Sequence, residues 1–511
     1  MVISNITKKL GLSFFSISLI LSACSSPENL NINNTVNANS VDGFNQSQPL
    51  SSFQWGVSTA GYQSEGNDSS SIWSNWDKSG KTLDHNPKGV DFFNRYEEDI
   101  QLAKDMGANS FRFSIEWSRV EPRKGHFDPD GIQFYRNILN SVKAKGMTPL
   151  VTLVHFNYPQ WIVSESKNAN KGLDDPEFIN YFLKYTEKMV REFGDDVKYW
   201  ITFNEPNIWI PGAYLTGIHP PGKKNPIATV KATWNLLKSH SKAYDLIHQL
   251  DADAMVSANM FYILPKPFGA VTPAPDNASI QSSNTPKLDD KNILDTDWFY
   301  ESMSTGNVTV NPQSVSENQI EASNLKPKTL KDELNETDAR NNPKVNIEMD
   351  SQVGWLKKFD YVAFDYYYRF RTISHVMNLT RPWLIEIYPE GLYDAIMYYH
   401  RKYNKPIMIA ENGICDENLK PRADKWTRES AIVQHVKHMK RAMADGANVL
   451  GYYHWSITDN YEWGSFTPRF GLYTVNALKD PTMKRIATPA VEVYKQVIKN
   501  NGVTNNLLIK Y

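Results

Sequence analysis

The chain has 511 residues with 55 Lys and Arg against 56 Asp and Glu, which gives a net charge of -1. This balance provides no electrostatic field for a polyanion and argues against nucleic-acid binding. Apolar residues make up 41% of the chain and aromatic residues 12%, which excludes a disordered chain and allows a large core. Length leaves the domain count open, because α/β barrels with insertions exceed roughly 400 residues as one unit.

The amino terminus is predicted to be a targeting segment. Lys8 and Lys9 precede a mostly apolar run over residues 10–23, which is too short to span a bilayer and is typical of a signal peptide. Residues 21–24, Leu-Ser-Ala-Cys, resemble the bacterial lipoprotein cleavage box, which predicts a signal peptide over 1–23 and lipidation at Cys24. An ordinary secretory signal with an incidental cysteine is the alternative. Ser25 after the cysteine favours the outer membrane, on its periplasmic or surface side, and so predicts a cell-envelope lipoprotein.

Residues 24–50 are rich in Ser, Asn and Pro and predict a flexible tether. It precedes a folded domain over 51–500, and residues 501–511 are expected to form a C-terminal tail. Apart from Cys24 the chain has only Cys415, so the mature domain has no intramolecular disulfide. Cys415 lies close to Glu411 and resembles a candidate nucleophile, but a small buried packing residue is the favoured interpretation.

From residue 53 onward, short β-leaning runs alternate with amphipathic segments of helix length, which is typical of a parallel sheet wrapped by helices. Eight strands with intervening helices predict a single (β/α)8 barrel with long βα loops. The predicted strands are Phe53 to Thr59, Ser110 to Ile115, Thr148 to Val154, Lys198 to Asn204, Ala254 to Asn259, Asp360 to Tyr366, Pro406 to Ala410 and Asn448 to His454. The predicted helices are Tyr96 to Met106, Gly131 to Lys145, Pro176 to Phe193, Ile227 to Leu250, Tyr388 to Tyr403 and Arg428 to Asp445.

One region breaks this alternation. Residues 265–343 are rich in Pro, Asn, Ser, Asp and Lys and contain few apolar clusters. The sequence therefore predicts an insertion between the fifth and sixth strands, much of it exposed loop.

Two glutamates follow buried strands in the same way. Glu205 lies in Thr202-Phe203-Asn204-Glu205-Pro206, at the end of the fourth strand, and Glu411 begins Glu411-Asn412-Gly413, at the end of the seventh. Alone, each is compatible with a polar turn. Because active sites of (β/α)8 barrels lie at the carboxyl ends of the strands, we expect the two carboxyl groups to face each other across the barrel mouth.

The chain resembles glycoside hydrolase family 1, the β-glucosidase family, from about Phe53 to Val497. The resemblance is carried by blocks in the family's order and spacing: Trp55 to Gly66 (WGVSTAGYQSEG), Phe111 to Arg119 (FRFSIEWSR), Thr202 to Pro206 (TFNEP), Glu411 to Gly413 (ENG) and Trp455 to Trp463 (WSITDNYEW). It implies a retaining β-glycosidase, most simply a β-glucosidase that forms a covalent glycosyl-enzyme, with no metal and no cofactor. Its expected substrate is a small β-glycoside or disaccharide.

The resemblance also implies roles for single residues. Glu205 is the expected acid/base and Glu411 the expected nucleophile, with Arg112 favouring the ionised form of Glu411 and Tyr367 contacting it. Acetal cleavage needs this division, because one carboxyl protonates the leaving oxygen while the other stabilises the opposite face of the sugar. Sugar hydroxyls need polar partners and the ring needs an aromatic platform. The expected hydroxyl partners and platform are Gln63, His155, Asn204, Glu462, Trp463 and Trp455.

Two departures from the family pattern, and one difference from its phospho-sugar branch, stand out. His155-Phe156-Asn157-Tyr158-Pro159 replaces the common His-Trp-Asp-Leu-Pro, which predicts a differently shaped mouth. Asp365 stands where Asn usually precedes the double tyrosine and adds a possible anion to the site. The branch of the family that acts on phosphorylated sugars has a Ser-x-x-Lys-like segment after the eighth strand, which binds the phosphate. Glu462 and the residues after it differ from that segment. A carboxylate there repels a 6-phosphate, so an unphosphorylated substrate is expected.

Two other functions remain open from the sequence. One is a non-catalytic sugar-binding lipoprotein on the same barrel, which two close carboxylates argue against. The other is a transglycosidase, which uses the same residues and differs only in how an acceptor competes with water. The sequence does not rank glucose, galactose, fucose and mannose as the glycone, and it gives no oligomeric state.

Overall fold

The computed structural model describes residues 53–165, 172–263, 300, 307–310, 345–348, 358–369 and 381–511. The predicted signal peptide, Cys24 and the tether lie outside the described residues, as does most of the predicted insertion at 265–343. Among the described residues, no helix combines the length and the hydropathy needed to cross a membrane.

Eight parallel strands form a closed barrel in which each strand pairs with its neighbours in the chain and the eighth pairs with the first. This arrangement confirms the predicted (β/α)8 barrel, and every predicted strand matches an observed one within about two residues. The strands are β1 (Gln54–Ser58), β2 (Ser110–Ser114), β3 (Thr148–Val154), β4 (Tyr199–Asn204), β5 (Met255–Phe261), β6 (Val362–Tyr366), β7 (Ile407–Asn412) and β8 (Val449–Trp455).

Among the described residues, six long helices pack around the barrel near the predicted places, and a seventh, Pro489–Lys499, was not predicted. In the helix Glu177–Phe193 the buried Phe178, Phe182, Tyr185 and Met189 recur every three or four residues, which places one apolar stripe against the strands. The long helices are Phe92–Asp105, Pro129–Ala144, Glu177–Phe193, Pro226–Leu250, Glu390–Tyr403, Arg428–Ala444 and Pro489–Lys499. Short helices are Gly61–Ser64, Ile72–Lys78, Trp117–Val120, Trp161–Ser164, Pro206–Ile210 and Asn505–Lys510, with 3₁₀ turns at Gly194–Asp196 and Pro382–Leu384 and a π-helical turn at Pro211–Leu215.

The barrel interior is filled by side chains and is not a pore. An apolar layer in its lower half consists of Leu150, Ile201, Tyr361, Ala363, Met408, Ala410 and Tyr453, all fully buried. This layer closes the barrel below the carboxyl ends of the strands. In the described barrel, space for a ligand is therefore expected at the upper rim, where the βα loops begin.

The C-terminal segment differs from the tail predicted at 501–511. Residues Asn505–Lys510 form a helix whose cap is Thr504, and the side chain of Leu507 is buried. Leu507 belongs to the same apolar cluster as the helices around the barrel. The segment is therefore part of the folded domain and not a separate tail. The sequence did not predict this docking because one apolar leucine and a helix cap are weak signals.

Two short strands outside the barrel fall in or beside the predicted insertion. Asn307–Val310 pairs antiparallel with Val345–Glu348. Tyr300 is also described and is fully buried, with its hydroxyl 2.6 Å from the carbonyl oxygen of Ala258 on β5 and 2.7 Å from that of Ala363 on β6. Tyr300 of the predicted insertion thus ties these two strands together.

Candidate active site

Glu205 lies at the mouth of the barrel, directly after β4. Its backbone adopts a left-handed conformation, with φ 39° and ψ 55°, and it caps the short helix Pro206–Ile210. Such a conformation is uncommon for a residue other than glycine and is typical of functional sites that the surrounding fold holds in place. The backbone N–H of Glu205 donates to the carbonyl oxygen of Asn259 on β5 at 2.6 Å. This bond helps to hold the strained turn that aims the Glu205 side chain.

Glu411, near the end of β7, is bound by two donors. Nη1 of Arg112 lies 2.5 Å from Oε1 of Glu411, and the hydroxyl of Tyr367 donates to Oε2 at 2.5 Å. Arg112 is fully buried and also donates from Nη2 to Oδ1 of Asn204 at 2.6 Å. Both oxygens of Glu411 are thus oriented by groups that favour its ionised form.

A third carboxyl group belongs to the same cluster. One oxygen each from Glu205, Asp365 and Glu411 lie within 4.8 Å of one another, and all three residues are buried. In the register between β6 and β7, Asp365 lies opposite Glu411. The structure therefore places the Asp365 carboxyl group in the pocket, and burial together with the charges of Glu411 and Glu205 raises its pKa well above the ordinary value.

Asn259 on β5 is a site residue that the sequence reasoning missed. Its Nδ2 donates to Oδ1 of Asn204 at 2.7 Å and also to Oδ2 of Asp365. The signal was present as a polar residue within an otherwise apolar strand, but an asparagine in that position is equally compatible with a strand end. Asn259 links the residue before the acid/base candidate to the third carboxyl.

The two predicted catalytic glutamates differ in the groups that shift their pKa values. Burial raises the pKa of Glu205 well above its ordinary value, and the negative charge of Glu411 raises it further. Burial also raises the pKa of Glu411, but Arg112 and the hydrogen bond from Tyr367 act in the opposite direction. Two carboxyl groups at this distance do not ionise together easily. The arrangement therefore favours a protonated Glu205 beside an ionised Glu411.

An aromatic wall lines the pocket on the side of β3 and β8. The imidazole ring of His155 is nearly parallel to the indole rings of Trp455 and Trp463, with centroids 5.8 Å apart in both pairs. Burial lowers the pKa of His155 well below its ordinary value, and Arg112 lowers it further. At neutral pH the imidazole is therefore uncharged, with one nitrogen able to donate and the other able to accept. Nε2 lies 3.5 Å from Nδ2 of Asn204.

Of the residues that differ from the family's His-Trp-Asp-Leu-Pro pattern, Phe156 packs against this wall. Phe156 stacks on Trp463 with ring centroids 4.6 Å apart. Asn157 points elsewhere, since its Nδ2 donates to Oε2 of Glu116 at 2.7 Å. Phe156, which stands in place of the family's tryptophan, thus packs against Trp463. The position of His155 beside Trp455 and Trp463 remains compatible with its predicted role.

Gln63 and Glu462 lie together at the other end of the predicted sugar site. Trp455 Nε1 donates to Oε1 of Glu462 at 3.0 Å, and Nε2 of Gln63 donates to Oε2 of Glu462 at 3.3 Å. Burial raises the pKa of Glu462 to about 8, although the hydrogen bond from Trp455 opposes this shift. Oε1 of Gln63 is buried and has no hydrogen-bond partner among the described residues. This oxygen is available to a hydroxyl group of a ligand.

The structure therefore brings together every residue predicted for the site among those it describes. Two of them, Tyr367 and Trp455, also pack in one apolar cluster with Cys415. Cys415 is a free, buried residue whose hydrogen-bond contact is with the hydroxyl of Tyr368 at 3.6 Å. Burial raises the pKa of its thiol. The interpretation of Cys415 as a packing residue is confirmed.

The three carboxyl groups are also the described residues with a geometry that could hold a metal ion. A divalent cation bound there would lie beside the guanidinium of Arg112, which already occupies Oε1 of Glu411. Like charges at such a distance repel. The site chemistry fits proton transfer and nucleophilic attack better than metal binding.

Comparisons with known proteins agree with this geometry. The family model described as "Glycosyl hydrolase family 1" matches residues 46–503. β-Glucosidase A of Acetivibrio thermocellus is 30% identical over 88% of this chain and 98% of that protein, and a β-galactosidase of Pyrococcus woesei is 27% identical over 89% and 98%.

A solved structure agrees as well. The β-glucosidase of Thermotoga maritima, solved in complex with glucoimidazole, is 26% identical, covers 89% of this chain and 99% of that one, and superposes with a TM-score of 0.68. The family match extends over nearly all of the described barrel and over both glutamates. The chain therefore belongs to glycosyl hydrolase family 1 and is an O-glycosyl hydrolase.

Proposed function

We propose that the protein is a retaining β-glycosidase, most simply a β-glucosidase, that removes terminal non-reducing β-D-glucosyl residues from small glycosides. The observation that carries this proposal is the separation of Glu205 and Glu411, whose nearest oxygens lie within 4.8 Å. Retaining glycosidases place their two carboxyl groups about 5–5.5 Å apart, whereas inverting enzymes leave about 6.5–9.5 Å for a water molecule. The close approach of the two oxygens supports the retaining arrangement.

In the proposed reaction Glu205 is the acid/base and Glu411 the nucleophile. Glu205 gives its proton to the glycosidic oxygen as the bond from that oxygen to the anomeric carbon breaks, and a carboxylate oxygen of Glu411 forms a bond to the same carbon. Glu205 then takes a proton from the water that attacks the glycosyl-enzyme, and Glu411 leaves as a carboxylate. The donors on Glu411 support this division, because Arg112 and Tyr367 stabilise an anion.

The proposed sugar site lies between the polar groups around Gln63 and the aromatic wall. Trp455 provides a platform for the apolar face of a pyranose, while Gln63, His155, Asn204 and Glu462 provide donors and acceptors for its hydroxyl groups. Asn204 is already fixed by Arg112 and Asn259. Such prior orientation limits the entropy that is lost when a ligand binds.

The test is a panel of aryl β-glycosides assayed on wild type, Glu205→Ala and Glu411→Ala. We expect each replacement to lower kcat by at least about a hundredfold, within the range for loss of a positioned acid or base. Glu417→Gln is the matched control, because Glu417 also follows β7 but contacts Lys420. Activity within about tenfold of wild type in both alanine variants would contradict the proposal.

Azide rescue divides the two roles. Glu205→Ala retains the nucleophile, so azide attacks the glycosyl-enzyme and yields a β-glycosyl azide. Glu411→Ala lacks the nucleophile, so azide attacks the substrate directly and yields an α-glycosyl azide. The reverse pattern of products exchanges the proposed acid/base and nucleophile.

The glycone and the acceptor are tested in the same assays. The names of the relatives include both a β-glucosidase and a β-galactosidase, so gluco- and galacto-configured substrates belong in the panel, with fuco- and manno-configured ones beside them. Product analysis at high concentrations of acceptor measures transglycosylation against hydrolysis.

We also propose an unphosphorylated substrate, as expected from the sequence. By the resemblance, Glu462 lies in the segment where the phospho-sugar branch has its phosphate-binding residues, but its pKa of about 8 means that it is largely protonated at neutral pH. Repulsion of a phosphate by Glu462 therefore increases as the pH rises through about 8. A comparison of a β-glucoside with its 6-phosphate at pH 6 and pH 9 measures this effect.

For the amino terminus we propose a lipoprotein attached through Cys24 on the cell envelope, with residues 24–50 as its tether. The proposal rests on the apolar run over 10–23 and the Leu-Ser-Ala-Cys box. Cys24→Ala is expected to move the protein from the membrane fraction to the soluble fraction of the host cell. Unchanged fractionation of this variant counts against lipidation, and Cys415→Ala is the control for loss of a thiol.

A further inference from the structure

The resemblance leads one to expect asparagine at position 365, but the chain has an aspartate there. Asp365 is fully buried and lies beside Glu411 in the register of β6 and β7. One oxygen of its carboxyl group lies within 4.8 Å of an oxygen of Glu205, and a side-chain hydrogen bond between the two groups affects the pKa of both. The acid/base candidate thus has a second acidic neighbour besides the nucleophile.

The hydrogen bonds of Asp365 leave one oxygen for Glu205. Oδ2 of Asp365 accepts from Nδ2 of Asn259. Oδ1 is buried and has no donor among the described residues. A carboxylate oxygen without a donor in a buried pocket is costly, and a proton between Asp365 and Glu205 removes this cost for both groups.

The charges around Asp365 and Glu205 also favour a proton on this pair of carboxyl groups. Arg112, which reaches the pocket from β2 across the barrel, is already bound to Glu411 and Asn204. Burial raises the pKa of Asp365 and of Glu205 well above their ordinary values, and Glu411 raises both further. Among the described residues, the titratable and charged groups that interact with the pair are Glu411 on β7, Arg112 on β2, Tyr367 after β6, Glu462 after β8 and Tyr300.

We propose that Asp365 is a positioning residue for the acid/base, and that its carboxyl group and that of Glu205 share one proton and hold each other in place. The inference rests on the proposed role of Glu205. In the free enzyme the pair carries one negative charge and Glu411 carries another. A hydrogen bond donated by Asp365 favours the ionised form of Glu205. Because the two like charges repel, however, the pair as a unit retains its last proton to higher pH than Glu205 alone would, and this proton is available to the leaving group through Glu205.

The proton count balances through both steps. When Glu205 gives the shared proton to the leaving oxygen, the pair becomes doubly charged while Glu411 loses its charge in the glycosyl ester. When water attacks, the pair takes a proton from it and Glu411 is released as a carboxylate. The sum of charges on the three carboxyl groups is the same in the free enzyme and in the glycosyl-enzyme, so no outside proton donor is needed.

The first experiment compares pH profiles of kcat/KM for phenyl β-glucoside in wild type and Asp365→Asn. Removal of the like charge is expected to move the alkaline limb down by about 1–3 pH units, because a charge within about 4–6 Å shifts a pKa by that amount. With 2,4-dinitrophenyl β-glucoside, whose leaving group needs little protonation, the variant and wild type should differ much less. An alkaline limb that does not move in Asp365→Asn overturns the inference.

Asp360→Asn is the matched control. Asp360 precedes the same strand at its opposite end, where it accepts from the hydroxyl of Tyr244 at 2.6 Å and from the N–H of Val256 at 2.7 Å. The same chemical change there should leave the alkaline limb unmoved. A merely structural role of Asp365 would lower stability or kcat without moving the limb.

A second measurement does not need turnover. Difference infrared spectroscopy follows the carboxyl C=O stretch as a function of pH in wild type, Asp365→Asn and Glu205→Gln. Each variant removes one member of the pair, so each should shift the remaining carboxyl to titrate at lower pH than the wild-type pair. Failure of the proposed function appears as a wild type inactive on both aryl glucosides, whereas failure of this inference alone appears as an active wild type with unshifted titration in the variants.

Discussion

Arg112 and Glu411 form a buried ion pair across the barrel, with Nη1 2.5 Å from Oε1. The two residues are 299 positions apart in the chain, on β2 and β7. Arg112 also donates to Asn204, the residue before Glu205. One buried guanidinium therefore orients the proposed nucleophile and the loop that carries the proposed acid. This double role makes the neighbours of Glu411 informative sites for mutation.

Tyr367→Phe removes the other donor to Glu411. Hydrogen bonds to charged groups are worth about 1.5–3 kcal/mol, so kcat/KM should fall about 10- to 150-fold. Glu411 must be ionised to act, and loss of the donor raises its pKa, so the acid limb of the pH profile should move to higher pH. The matched control is Tyr368→Phe, which removes a hydroxyl that contacts Sγ of Cys415 instead. An acid limb that stays in place in Tyr367→Phe would argue against a direct role of this hydroxyl.

Glu462→Gln tests the group with a pKa of about 8. Below that pH the wild-type side chain is largely a neutral acid, so the inhibition constants of wild type and variant for glucose should lie within about fivefold. Above it the wild-type side chain is an anion, and charged hydrogen bonds are stronger than neutral ones by about 1 kcal/mol or more. The ratio of the two inhibition constants should therefore change through about pH 8. A ratio that is constant from pH 6 to pH 9 would contradict the raised pKa.

Chelation tests the cluster of three carboxyl groups. Because Arg112 lies beside Glu411, we expect dialysis against EDTA to leave kcat and KM within experimental error of the untreated enzyme. The measurement is paired with re-addition of Mg²⁺, Mn²⁺, Ca²⁺ or Zn²⁺ to the dialysed protein. A loss of activity that one of these ions restores would show that the cluster binds a metal.

Asp99→Ala tests stability far from the chemistry. Asp99, in the helix Phe92–Asp105, binds Arg485 with Nε 2.7 Å from Oδ1, and both side chains are buried. Breaking a buried pair by removing one partner costs about 3–5 kcal/mol, since it leaves the other charge uncompensated. Urea unfolding should show a loss of this size, with kcat unchanged at temperatures where the variant is folded. Exposed Glu187→Ala, which breaks a surface pair with Arg191, should cost less than about 1 kcal/mol.

The barrel could be predicted from the sequence because its signals are local. Each strand is a short apolar run such as Thr148–Val154, and each long helix carries an apolar stripe such as that of Glu177–Phe193. The helix Asn505–Lys510 has no such local signal, because Leu507 is its single buried residue and one residue makes no periodic pattern. The sequence therefore did not predict it.

The members of the site could also be named in advance, because short blocks such as Thr202 to Pro206 and Glu411 to Gly413 carry them. Their partners were harder to predict. Asn259 lies in an apolar strand with no motif of its own, and its bonds to Asn204 and Asp365 depend on how β5 lies between β4 and β6.

The sequence by itself determined the alternation of strands and helices, the strand-end position of both glutamates and the family. Only the tertiary structure decided that Asp365 shares the pocket with Glu205 and Glu411. The reason is that contacts across a closed barrel depend on strand register and on the direction of each side chain. A shift of one residue along a strand turns a side chain from the pocket to the helices outside.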